Sequence, residues 1–179
     1  MLDVQGSDAP LTICPNGNPS SECAHCKVRA LSVCSALEGD EVQALDKITR
    51  HVSFTKHETL FAQGDVSDAV YNITSGSVRL VKLLPDGRRQ IVGFALPGDF
   101  LGLAMSERNG FSAEALSATA TCQFPRKDFS ALLDSKPHLL RRLHSMASHE
   151  LSLAQDQMVI LGRRTAEEKV AAFLLGLRK

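Results

Sequence analysis

From His51 to Phe124 apolar and polar residues alternate with a period of two, and glycines at 64, 76, 87, 98 and 110 cut the stretch at intervals of 12, 11, 11 and 12 residues. Runs such as Val70-Tyr71-Asn72-Ile73, Ser77-Val78-Arg79-Leu80-Val81 and Gln90-Ile91-Val92-Gly93-Phe94 lie between them. Period two sends successive side chains to opposite faces of a strand, and short strands at this spacing with turn signals between them build an all-β sandwich or barrel. Leu84-Pro85-Asp86-Gly87-Arg88 is the clearest hairpin tip, because Pro and Asp-Gly supply turn geometry.

Helical patterns flank this region. Val42, Leu45 and Ile48 fall at helical spacing behind Asp40, a plausible cap. Pro125 and Lys127-Asp128 open a second short helix ending near Ser135, which Lys136-Pro137 breaks. A long helix is then expected from about His138 to Leu161, roughly 36 Å at 1.5 Å per residue. Leu140, His144, Ala147, Leu151, Ala154, Met158 and Leu161 alternate steps of four and three along it, a coiled-coil seam with one polar interruption. A second stripe, Leu139, Met146, Leu153 and Ile160 with Leu143 beside it, lies about a third of a turn away. A helix apolar on two faces needs two partners: its own β domain and a second copy of the chain are the simplest pair, and burial within one domain is the alternative. Four large apolar side chains per helix, at roughly 1.5–3 kcal/mol each, give about 12–24 kcal/mol for two helices. Association costs about 4–15 kcal/mol, so a modest change elsewhere can switch the seam. Beyond Gly162-Arg163-Arg164, Thr165-Ala166-Glu167-Glu168 is a capping box for a last helix with Val170, Ala171, Phe173, Leu174 and Leu177 on its apolar face.

The cysteines add chemistry. Cys23, Cys26 and Cys34 form a C-x2-C-x7-C run, and Cys122 lies far along the chain in the alternating segment Ala118 to Phe124. In a reducing compartment clustered cysteines argue for a soft metal centre or redox chemistry before a structural disulfide. Four thiolates suit tetrahedral zinc or an iron–sulfur cluster, and the spacing does not choose between them. The neighbouring His25, Lys27 and Arg29 are expected to favour thiolate over thiol. Cys122 taken alone reads as an ordinary core thiol. Cys14, in a Pro-, Gly-, Asn- and Ser-rich lead, reads as a non-ligand.

The bulk numbers exclude several classes. At 44% hydrophobic and 22% charged the 179 residues are those of an ordinary globular chain. No apolar run approaches the length of a membrane span and no secretory signal opens the sequence, which places the chain in the cytoplasm. With 20 basic and 20 acidic side chains and basic residues only in short pairs, it offers no basic face for nucleic acid.

Taken together, the N-terminal cysteine run, the β region, the long helix and four motifs resemble the CRP/FNR superfamily of transcription regulators, and within it the FNR-type oxygen sensors. The motifs are Thr59-Leu60-Phe61-Ala62-Gln63-Gly64-Asp65, Tyr71-Asn72-Ile73-Thr74-Ser75-Gly76, Leu96-Pro97-Gly98-Asp99-Phe100-Leu101-Gly102 and Thr165 to Phe173. The resemblance implies an α+β chain, an antiparallel β-roll of jelly-roll, cyclic-nucleotide-binding-domain type followed by a coiled-coil dimerisation helix. It divides the chain into a flexible N-terminus (1–20), a cysteine-rich loop (21–36), the β-roll with its flanking helices (37–135), the dimer helix (138–161) and the start of a linker helix (165–179). It implies an oxygen-labile 4Fe-4S cluster held by Cys23, Cys26, Cys34 and Cys122, a homodimer active on operator DNA without oxygen, and conversion toward a 2Fe-2S form that weakens dimer and DNA binding. Leu31, Val33 and Leu37 would shield the cluster or belong to the core. Leu84, Pro85, Asp86, Gly87 and Arg88 match a loop that touches RNA polymerase in relatives, and read equally as a solvated turn. Relatives continue into a winged helix-turn-helix, so this chain is expected to sense and dimerise without binding DNA. Ala154 stands where well-known relatives carry an acidic residue, and its neutrality should favour the dimer.

Other readings follow from the same residues. A cyclic nucleotide would need a Glu soon after Gly102 and an Arg beside a small hydroxyl residue; Leu103-Ala104-Met105 and Phe111-Ser112-Ala113 stand there, with Arg108 offset. A structural zinc at the same cysteines is the other alternative. The histidines at 25, 51, 57, 138, 144 and 149 name no haem ligand and form no cupin-like cluster, so no enzyme is expected.

Overall fold

The computed structural model describes residues 23, 26–103, 107–163 and 165–176. They fall into two compact units, divided between Lys136 and Pro137.

The first unit begins with two 3-10 turns, Arg29–Leu31 and Val33–Ala36, and helix α1 (Asp40–Ile48). Eight strands follow: β1 (Arg50–Phe54), β2 (Thr59–Phe61), β3 (Ala69–Ser75), β4 (Val78–Leu83), β5 (Arg89–Ala95), β6 (Phe100–Leu101), β7 (Ser112–Ala115) and β8 (Thr119–Pro125). Helix α2 (Arg126–Ser135) closes the unit. The strands pair antiparallel in two four-stranded sheets, ordered β1-β8-β3-β6 and β2-β7-β4-β5, which is the β-roll that the alternation and the resemblance foresee. Leu60, Tyr71, Ile73, Val78, Leu101 and Ala113 meet in the core of the roll.

Alternation explains why the first sheet is covered on its outer face as well. On β3, Ala69, Tyr71 and Ile73 join the core, so Val70, Asn72 and Thr74 point the other way. On that outer side Phe100, Phe124 and Phe129 pack ring against ring, with centroids 5.5–6.1 Å apart, and bring α2 onto the sheet. The first five residues of β3 are therefore all buried.

Local chemistry at the termini of α1 differs from the expectation. Gly39, at φ +49°, holds the cap position, and Asp40 is the first helical residue. Glycine reaches positive φ without strain, which leaves Asp40 and Glu41 in the first turn, where their charge meets the positive end of the helix.

The second unit is α3 (Pro137–Arg163) and α4 (Ala166–Gly176). Proline suits the first helical position because its missing N–H has no partner there anyway. α3 runs through Gly162 and Arg163, two residues past the expected end. The capping box forms as the spacing predicts: Thr165 N–H donates to Glu168 Oε2 at 2.8 Å and Glu168 N–H donates to Thr165 Oγ1 at 3.3 Å. Along the seam Leu140, Leu151 and Met158 are exposed at 47%, 59% and 69%, as are His144, Ala147 and Ala154. The side chain of Leu161 lies outside the described residues. In the second stripe Leu139 is buried, Met146 half-buried and Leu153 exposed. On α4 Val170, Ala171 and Leu174 are exposed, and the side chain of Phe173 and all of Leu177 lie outside the described residues.

Candidate metal centre

Cys122 sits mid-strand on β8, on the outer face of the first sheet, directly opposite His51 of β1 and Asn72 of β3. It is buried, and its Sγ lies 3.8 Å from His51 Nδ1. The cysteine loop approaches this face from the N-terminal side.

Several contacts hold the loop. Ser32 is fully buried and its Oγ accepts from the Cys34 N–H at 3.2 Å, capping the second 3-10 turn. The Arg29 guanidinium donates to the carbonyls of Cys34 and Leu37, tying the start of the loop to its end. Val33 and Leu37 are buried; Leu31 is exposed and so does not act as core. Leu31 Cβ nevertheless lies only 2.8 Å from where a Cβ on Gly98 would stand, so glycine, at φ +99°, is what lets the β5–β6 turn come this close.

Between loop and sheet lies a cavity of about 230 Å³ walled by Cys23, Cys26 and Cys122 together with Lys27, Val28, His51 and Thr74. Cys23 Sγ is 4.0 Å from Thr49 Oγ1 at the end of α1. Three of the four expected thiols, Cys23, Cys26 and Cys122, thus share one cavity wall, and Cys34 lies off it. Among the described residues no three His, Cys, Asp or Glu side chains are grouped closely enough to hold a metal ion. Cys14 and His25 lie outside the described residues.

The expectation that basic neighbours favour thiolates is overturned at two cysteines. Burial pushes the Cys23 thiol well above its ordinary range, and the Asp46 carboxylate and then Cys122 push it further, against a small opposing effect of Thr49. Burial also raises Cys34; its hydrogen bond with Ser32 opposes this, Cys26 adds to it, and Arg29 lowers it only weakly. Desolvation dominates because Arg29 is engaged with backbone carbonyls and Lys27 is exposed. Such thiols stay protonated and unreactive until a cation displaces the proton.

Sequence reasoning did not find His51, Thr74, Thr49 and Asp46 as neighbours of the cysteines. His51 is set beside Cys122 by the register of β8 against β1 and Thr74 comes from β3, whereas Asp46 and Thr49, on α1 and at its C-terminal cap, meet Cys23 of the loop. The tip of the β4–β5 hairpin is a compact exposed turn, with Leu84 N–H donating to the Arg88 carbonyl at 2.8 Å and Gly87 at φ +83°. Arg108 donates to the Gly64 carbonyl at 2.6 Å, and inside the roll Phe61 packs against Tyr71 and Phe111. Ala104 and Met105 lie outside the described residues.

Two antiparallel sheets with this strand order, a Pro97-Gly98 turn between β5 and β6 and trailing helices define the cyclic nucleotide-binding-domain class of fold, and the profile of the cyclic nucleotide-binding domain family matches residues 51–136. The chain is 51% identical over 165 residues to the nitrogen fixation regulation protein FixK of Bradyrhizobium diazoefficiens, covering 92% of this chain and 68% of that protein. It is 34% identical over 152 residues to the transcriptional activator protein FnrL of Cereibacter sphaeroides, covering 85% of this chain and 61% of that protein. The solved structure of FixK2 from Bradyrhizobium japonicum superposes with a TM-score of 0.67 at 37% identity, over 72% of this chain and 65% of that one. The chain belongs to the CRP/FNR family of transcription regulators. It spans about two thirds of the length of these relatives.

Proposed function

We propose that this chain is the sensing and dimerising part of an oxygen-responsive transcription regulator, with a 4Fe-4S cluster held by Cys23, Cys26, Cys34 and Cys122. The observation that carries this reading is the cavity walled by Cys23, Cys26 and Cys122, closed by a loop that Arg29 and Ser32 keep in shape. The donor set also fits a cluster better than a lone ion. A single zinc draws all four sulfurs to about 2.3 Å of one atom, whereas a four-iron cluster takes one cysteine per iron and tolerates thiols spread around it. Cys23, Cys26 and Cys122 set around a cavity of about 230 Å³ suit the second arrangement. When bound, the cluster supplies an oxygen-labile redox centre. The protein's part is to bring β8 and the N-terminal loop to it, to bury the sulfurs, and to let loop order depend on it.

The exposed seam of α3 supports the second half of the reading. Leu140, Leu151 and Met158 bury their apolar surface when two copies pair, and His144, Ala147, Ala154 and Leu161 complete the repeat. Operator DNA and RNA polymerase, the latter at Leu84 to Arg88, are partners of the whole regulator in this reading. The chain acts in the cytoplasm, by binding rather than by catalysis.

The family match favours one other reading, a cyclic nucleotide inside the roll. Against it, the Phe61, Tyr71 and Phe111 rings pack together and Arg108 is engaged with the backbone of Gly64.

Purification without oxygen tests the proposal. A broad visible band with about four irons and four sulfides per chain, bleaching in air and lost in Cys122→Ser, is the expected result. A colourless protein carrying stoichiometric zinc overturns it.

A further inference from the structure

The row of residues that carries Cys122 across the first sheet has polar neighbours on both sides. His51 on β1 and Asn72 on β3 each stand directly opposite Cys122. His51 Nδ1 is already 3.8 Å from the sulfur. Asn72 is 1% exposed, and its Oδ1 has no hydrogen-bond partner among the described residues. Beyond Asn72 the row continues to Phe100, whose side chain has no N–H or O–H to give the carboxamide oxygen.

A buried carboxamide oxygen without a partner is costly, and an apolar residue of the same size would remove the cost. Directly opposed residues place their Cβ atoms about 4.5–5.5 Å apart, which puts the Cys122 sulfur within the span of an asparagine side chain at 72. A half-turn about its last side-chain bond exchanges the oxygen for the Nδ2–H group, since the two ends are nearly the same shape. A thiolate has only lone pairs to offer, so an N–H on either side is what it needs.

We propose that His51 and Asn72 are positioning residues of the cysteine centre, donating through Nδ1–H and Nδ2–H to the Cys122 sulfur from the two flanking strands when that sulfur is a thiolate ligand. The inference rests on the cluster reading above and adds to it which side chains set the centre's properties. Donors to a ligand sulfur draw off negative charge, which stabilises the reduced form and raises the midpoint potential; burial and sulfur hydrogen bonds are the protein's levers here. Removing either donor therefore lowers the potential and makes the centre easier for oxygen to oxidise.

The test loads the whole chain without oxygen and compares wild type, His51→Leu, His51→Gln and Asn72→Leu. Each leucine variant should lower the midpoint potential in a redox titration and shorten the lifetime of the visible band in air, roughly two- to tenfold for the loss of one net hydrogen bond. His51→Gln keeps a donor and should recover part of the change. Asn72→Leu should also leave the thermal midpoint of the metal-free chain unchanged or higher, which a merely structural asparagine would not do. A wild type that loads normally while the leucine variants keep its potential and lifetime overturns this inference alone. A wild type that takes up no iron and sulfide overturns the cluster reading and this inference with it. Loss of thermal stability in metal-free Asn72→Leu overturns the role of Asn72.

Discussion

At Cys23, burial and the Asp46 carboxylate act in the same direction, and both favour the thiol over the thiolate. The unfolded thiol titrates near its ordinary value of 9.0 and the folded one higher, so between the two the native chain holds a proton that the unfolded chain has lost. The resulting stabilisation is full below the unfolded value and disappears as pH rises through the folded one. Cys34 has the same sign. The thermal midpoint of the metal-free chain, kept in chelator and reductant, should therefore fall as pH climbs above about 9. Cys23→Ser should flatten that fall. An alkaline limb equally steep in Cys23→Ser would mean that another group controls it. Metal loading runs the opposite way: the protons must leave, so uptake improves as pH rises.

Among the elements, the cysteine loop is the one whose shape depends most on a single neighbour. Gly98 and Gly87 both have strongly positive φ, +99° and +83°, so alanine strains the backbone similarly at each. They differ in surroundings. A Cβ on Gly98 meets Leu31 Cβ at 2.8 Å, whereas one on Gly87 meets nothing within 4 Å. Gly98→Ala should cost about 1–3 kcal/mol more than Gly87→Ala, the usual range for overpacking. It should also lift the loop and speed alkylation of Cys26 and Cys34, read by mass spectrometry on the metal-free protein. Equal alkylation in the two variants would show that the loop keeps its place without the β5–β6 turn. Period two and the glycine spacing made this turn visible in the sequence, but not that Leu31 rests on it, since the two are more than sixty residues apart.

For the whole molecule the question is association. The described part of the α3 seam exposes Leu140, Leu151 and Met158 in one repeat, and Ala154 lies between the last two. A glutamate at position 151 would put two like charges together in a desolvated seam, so Leu151→Glu should raise the dimer dissociation constant at least about a hundredfold. Ala154→Asp places a like charge in the same seam but removes less apolar surface, and should raise it about tenfold. Sedimentation velocity on the metal-loaded chain measures both. A monomeric wild type, or variants that pair as tightly as wild type, removes the seam as the dimer contact.

What the sequence determined by itself was whatever depends on neighbours along the chain. Alternation with regular glycines requires short twisted strands, and Thr165 and Glu168 form their reciprocal cap within one turn. These signals are local, and tertiary packing did not overrule them. Packing between distant parts of the chain set which strand lies beside which, and in what register. A slip of two residues leaves the alternation of a strand intact but changes every partner across the sheet. The placing of His51 and Asn72 on either side of Cys122, and of Asp46 and Thr49 at Cys23, therefore left no trace in periodicity. The first follows from the roll closing so that β8 enters between β1 and β3, and the second from the cysteine loop lying against the end of α1, both choices made by the packing of the whole unit.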